Sequence, residues 1–215
     1  MDETPYFSPC KSMANTATQY AHEIALCRSL FGNKLKDYGA AWRILRLPSL
    51  TDQLFIKANR LRTIQDAGQQ KVADSQEGEF IGIVNYSIMA LIQMDRGVVS
   101  EPDLNLQDAL DAYDQQAARI QALMEAKNHD YGEAWRDMRI TSLTDLILQK
   151  VEGAARQADR RQLGQHAGLR GSRRQLHGHG ELRHICPDPN AQFLNNPEQS
   201  LQLEVLTLNN QFPWT

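Results

Sequence analysis

Apolar residues recur along this chain with the spacing of helices. Ile24, Cys27, Phe31 and Leu35 fall on one helical face, and so do Leu110, Tyr113, Ala117, Ile120 and Met124. Gly39 and Gly132 follow these two stretches and read as their terminators, because glycine readily takes the left-handed conformation that closes a helix. Pro48-Ser49-Leu50-Thr51-Asp52 reads as a helix start in which Ser49 caps and Asp52 answers the free N–H groups. The helix it opens carries Leu54, Ile56, Leu61 and Ile64, with Lys57, Arg60 and Arg62 on other faces. From Phe80 to Ile92 the chain is apolar almost all round, bounded by Glu79 and Asp95, which predicts a buried core helix. No alternation of period two is sustained, and β-branched residues are few. The predicted fold class is all-α.

The pattern is also duplicated. Lys34-Leu35-Lys36-Asp37-Tyr38-Gly39-Ala40-Ala41-Trp42-Arg43 returns as Lys127-Asn128-His129-Asp130-Tyr131-Gly132-Glu133-Ala134-Trp135-Arg136. Ser49-Leu50-Thr51-Asp52 and Lys57 return as Ser142-Leu143-Thr144-Asp145 and Lys150, at a constant offset of 93. Between Lys34 and Lys57, 13 of 24 positions are identical to their counterparts, far beyond chance. The unit is longer than a solenoid repeat of roughly 20–50 residues, so a small helical domain has been duplicated. The organisation read from this is an N-terminal segment at 1–18, a complete first repeat at 19–96, the first half of a second repeat at 97–152, and a tail at 153–215.

Composition narrows the class without naming a chemistry. At 215 residues and 41% hydrophobic, the chain can bury a core. Its 23 basic against 26 acidic residues give no general case for nucleic acid or an anionic membrane. No apolar run reaches the roughly 18–20 residues of a bilayer span. Met1-Asp2-Glu3-Thr4-Pro5 lacks the apolar core of a secretory signal, and Cys10, Cys27 and Cys186 form no disulfide framework or metal knuckle. A cytoplasmic protein is the expectation.

The tail breaks the pattern. No lysine follows Lys150, and the apolar helix that should repeat Phe80–Met94 is missing. Residues 153–189 hold seven arginines, six glycines and four histidines instead. Reading the codons of 180–191 from their second base, the degenerate code allows nine of the eleven residues of Val84–Met94. The inference is a frame change near Val151–Gly153, leaving an irregular or disordered tail. It removes the appeal of His177, His179, His184 and Cys186 as a metal cluster, and of the arginine run as a nucleic-acid patch. An incomplete second core would also expose apolar helix faces and favour homo-oligomers.

The string Lys-x-x-Asp-Tyr-Gly-x-Ala-Trp-Arg, then Ser-Leu-Thr-Asp, a basic helix and Val-Asn-Tyr, resembles a bacterial and phage family of unknown function called nucleotide modification associated domain 1. The resemblance covers residues 20–95 as one unit and 110–152 as the first half of another. It implies a link to nucleotide metabolism or base modification, with a nucleotide as the expected partner. Within it, Arg43, Arg136, Lys57, Lys150 and Arg60 are candidates for phosphates. Asp37, Asp130, Asp52 and Asp145 are candidates for Mg²⁺, the one expected cofactor. Tyr38, Tyr131, Trp42 and Trp135 are candidates for stacking on a base. Each has a structural alternative: helix-end caps or ion pairs for the charges, core filling for the aromatics. Asn85, an amide within an apolar helix, needs partners, which a ligand or an interhelical hydrogen bond would supply. A fold-level analogy to the all-α nucleoside triphosphate pyrophosphohydrolases would ask for an acid where Gly82 stands. The rival readings are a non-catalytic helical interaction module and a non-functional, frame-shifted remnant of a two-repeat protein.

Overall fold

A computed structural model describes residues 14–68, 70 and 75–174. Among them the order is α1 (Ala14–Tyr38), a 3-10 turn (Ala41–Ile44), α2 (Leu47–Ala67), α3 (Gln76–Arg96), α4 (Leu106–Tyr131), a second 3-10 turn (Ala134–Asp137) and α5 (Ile140–Arg174). No strand occurs among the described residues, so the chain is all-α as its periodicity predicts.

Gly39 and Gly132 close α1 and α4 at φ +61° and +60°, and their N–H groups donate to Leu35 and Asn128 carbonyls at 2.9 and 3.0 Å. Ser75 caps α3 by accepting from the Gly78 N–H at 3.1 Å, and Asn105 caps α4 by accepting from Asp108 at 2.9 Å. Helix α2 departs from expectation. It begins at Leu47, with Arg46 at the cap position and Pro48 inside the first turn. Proline lacks an N–H, so it suits a turn whose donors have no intrahelical partner. Ser49 therefore does not cap, and Asp52 sits one turn further in, exposed.

Helices α1 and α2 of the first repeat pack against their counterparts α4 and α5 in the second. Tyr20 donates to the Ala117 carbonyl at 3.0 Å, and Arg28 grips Asp114 at 2.6 and 2.8 Å, joining α1 to α4. Gln65 donates to Thr144 Oγ1 at 2.9 Å, joining α2 to α5. Phe31 stacks on Tyr113 with centroids 4.7 Å apart. One apolar core runs through both copies, from Tyr20 and Phe31 through Leu54 and Ile88 to Ile120 and Val151. Two copies of one helical hairpin thus bury each other's apolar faces, which neither could bury alone. Helix α3 lies against α1, α2 and α4. Of the stripe positions, Ile24 is half-buried and Ile56 points to solvent.

Beyond Lys150 the chain continues as helix to Arg174, past the point where irregular structure is expected. Alanine, arginine and glutamine are good helix formers, and Val151, Ala154 and Ala158 are buried along the face that Leu143 and Ile147 begin. His177, His179, His184, Cys186 and the Leu201–Leu208 stretch lie outside the described residues. No described helix is long and apolar enough to cross a membrane.

Candidate functional site

A groove of about 570 Å³ opens between the C-terminal half of α1, the first 3-10 turn and α3. Phe31, Leu35 and Trp42, all buried, belong to its lining. Tyr38, 69% exposed, also lines it, and Lys34 holds its ammonium 5.6 Å from the Tyr38 ring centroid. Tyr86 and Met89 of α3 contribute from the opposite side. Gly39 makes this shape possible: the chain must reverse immediately after α1 to set Trp42 against Phe31, with ring centroids 6.2 Å apart.

Lys57 enters the groove from α2 across Gly82 of α3. A Cβ at position 82 would come within 2.6 Å of the Lys57 Cε. Glycine at this position clears a path for the Lys57 stem, so its ammonium reaches Glu79 Oε2 at 3.2 Å. Arg60 donates to the other Glu79 oxygen. Glu79 itself is buried, and the two cations of α2 compensate its charge. The acid that the pyrophosphohydrolase analogy would require at position 82 would be driven into this stem.

Other candidates are occupied inside the fold. The Asn85 amide donates to the Cys27 carbonyl at 3.0 Å and accepts from the Tyr113 hydroxyl at 2.9 Å, an interhelical clasp. Burial raises the Tyr113 hydroxyl, which stays a neutral donor in this clasp, and also pushes the Cys27 thiol up to about 12. Arg43 is fully buried. Its guanidinium donates to Asp103 at 2.8 and 3.1 Å and to the Gln93 side-chain oxygen. Gln93 in turn donates to the Arg43 and Leu45 carbonyls at 2.7 Å each. Arg43 therefore ties the 3-10 turn to the end of α3 and the loop before α4.

The second copy repeats the residues with different surroundings. Tyr131 is 73% exposed, and Arg136 lies over the Trp135 ring at 4.3 Å. Arg136 donates to Glu133 at 2.6 Å, to Gln19 at 2.8 Å and to Thr16, so it anchors the start of α1. Lys127 and Lys150 lie near each other; burial, then the charge of Lys150, lowers the Lys127 pKa.

The carboxylates do not converge as a Mg²⁺ site would need. Asp37, Asp52, Asp130 and Asp145 are exposed, Asp145 facing Arg62 at 3.7 Å and Asp130 facing His129 at 3.2 Å. Among the described residues no three His, Cys, Asp or Glu side chains gather around one point. Among the described residues, the candidate carboxylates therefore do not form a set that fits a protein-held divalent ion.

Of the predicted candidates, the groove brings together Tyr38, Trp42, Lys57 and Asn85. It adds Lys34, Tyr86 and Met89, which were not singled out. Lys34 was legible: it opens the repeated string and recurs as Lys127. Tyr86 is the last residue of Val-Asn-Tyr and lies inside the Phe80–Ile92 stretch, whose apolar pattern reads as a core helix.

The sequence model of nucleotide modification associated domain 1 matches residues 34–94 and 127–162. The two matched segments are consistent with a duplicated domain, the second present in part. In the first copy the match runs from Lys34, in the last turns of α1, to Met94 near the end of α3, and takes in every groove residue except Leu30 and Phe31. In the second copy of nucleotide modification associated domain 1 the match runs on past Val151–Gly153, along α5. No curated protein and no solved structure matches the chain.

Proposed function

We propose that the first copy binds a nucleotide in the groove between α1 and α3. The observation that carries this reading is the convergence there of four aromatic rings, Phe31, Tyr38, Trp42 and Tyr86, with two lysines, Lys34 and Lys57. The volume lies within the range of small-molecule sites, roughly 300–1,000 Å³. A largely apolar wall with a cation at each side suits a flat base attached to an anion. Tyr38 offers the base an exposed ring on which to stack, and Lys34 and Lys57 are placed to meet a phosphate. The family description, nucleotide modification associated, points the same way. No reaction is assigned to the site.

The interaction-module reading draws its support from Arg43 and Asn85, whose polar groups are spent on holding the fold. A thermal-shift panel of nucleosides and nucleotides separates the two. A ligand that binds only the folded chain raises its melting temperature in proportion to ln(1 + [L]/Kd). The groove reading expects such a rise, abolished by Tyr38→Ala with Lys34→Ala. No rise with any nucleotide would leave the module reading standing alone.

A further inference from the structure

We infer that the groove selects a nucleoside 5′-monophosphate over the corresponding triphosphate, and takes it without a protein-held metal ion. The inference rests on the nucleotide reading of the same groove and adds the phosphate state of the ligand.

Charge carries it. Among the described residues, the groove lining contains two cationic side chains, Lys34 and Lys57, and no acidic one. Lys34 is exposed, lies over the Tyr38 ring and has no carboxylate partner among the described residues, so its charge is available to an incoming anion. Lys57 is partly neutralised by Glu79, a carboxylate it shares with Arg60. The lining therefore offers at most two positive charges. A phosphomonoester brings about −1.5 to −2 at neutral pH, which this set can balance. A triphosphate carries roughly twice that charge, and sites that hold one commonly recruit Mg²⁺ through carboxylates. Here no three described acidic or metal-ligating side chains converge, and at position 82 of α3, beside Lys57, stands a glycine with no ligating group.

The position of the charges agrees with this ligand. Lys34 lies one turn of α1 before Tyr38, on the same face, so a base stacked on Tyr38 has a cation within reach of a single attached phosphate. Longer phosphate chains would meet either the apolar side chains of Leu30 and Met89 or the buried carboxylate of Glu79.

Isothermal titration of the full chain tests it, using AMP, GMP, CMP, UMP and dTMP, the matching nucleosides, the triphosphates with and without Mg²⁺, and inorganic phosphate. The tightest monophosphate should bind about tenfold more tightly than its nucleoside and its triphosphate, the yield of one charge-assisted contact. EDTA should change nothing. Lys34→Ala, at an exposed position that does not endanger folding, should erase most of the advantage over the nucleoside. Glu79→Gln removes the carboxylate's repulsion and should narrow the gap between triphosphate and monophosphate. A triphosphate with Mg²⁺ that outcompetes every monophosphate overturns the inference and leaves the groove reading intact. Inorganic phosphate binding as tightly as the monophosphates overturns it too, since the base would then contribute nothing. If no ligand of the panel binds, the groove reading falls and this inference with it.

Discussion

Lys57 crosses α3 directly over Gly82, so close that a single methyl group at position 82 would lie 2.6 Å from its Cε. The crossing aligns α2 and α3 at the groove and aims a cation at its edge. Site and fold therefore share one contact, and the two roles can be separated by mutation.

Gly82→Ala should do so. Alanine in a helix interior is favoured over glycine by roughly 0.5–1 kcal/mol. The atoms it would strike are the far end of a flexible lysine, which can swing away from Glu79. Thermal unfolding should therefore show an unchanged or slightly raised melting temperature, while nucleotide affinity falls about tenfold with loss of the Lys57 contact. A large drop in melting temperature would mean the lysine cannot yield.

Tyr38→Ala should give an even cleaner split. The ring is 69% exposed, so its removal should change stability by no more than about 0.5 kcal/mol. Base stacking on an aromatic ring is worth about 1–3 kcal/mol, so nucleotide affinity should fall roughly 5- to 150-fold. Equal affinity for wild type and variant in calorimetry would remove Tyr38 from the site.

Trp42 should behave in the opposite manner. It is buried against Phe31, and its indole N–H finds no acceptor among the described residues. Trp42→Ala should cost about 3–5 kcal/mol in denaturant unfolding. Trp42→Phe also loses ring volume but removes an unpaired donor, and should cost well under half as much. Equal costs for the two would show that the N–H is satisfied.

Much of this was legible in the sequence. The constant offset between the two strings marks a duplicated unit, and the spacing of Phe31, Leu35, Ile120 and Met124 marks the apolar face of each helix, but the pairing of those faces in one core depends on contacts distant in sequence. The start of α2 was misplaced because Ser49 and Asp52 imitate a capping sequence, while the backbone uses Pro48 within the first turn instead. Arg43 looked like a phosphate ligand for a plain reason: its acceptors, Gln93 and Asp103, are distant in sequence, and no local pattern reveals them. Lys34 stood in the repeated string in plain view, and only its placement beside Tyr38 distinguishes it from a solvated lysine.

The Arg43–Asp103 pair makes stability depend on acid. The hydrogen bonds from Arg43 hold the Asp103 carboxyl below the usual carboxylate range. A carboxyl with a lower pKa in the folded than in the unfolded chain stabilises the fold above the unfolded value, near 3.9, and that contribution fades as pH falls through the folded value. Asp103→Asn should therefore melt below wild type by a constant margin above about pH 5, and the margin should close as pH falls below about 4. A margin that persists at pH 2 would place the contribution of Asp103 outside its charge.

Hydrogen–deuterium exchange with and without a saturating nucleoside monophosphate tests the central claim most directly, because it reports where the ligand sits. Peptides covering 30–45 and 78–89 should gain protection, with no comparable change over 123–150. Protection confined to the second copy, or its absence throughout, would contradict a nucleotide site in the groove between α1 and α3.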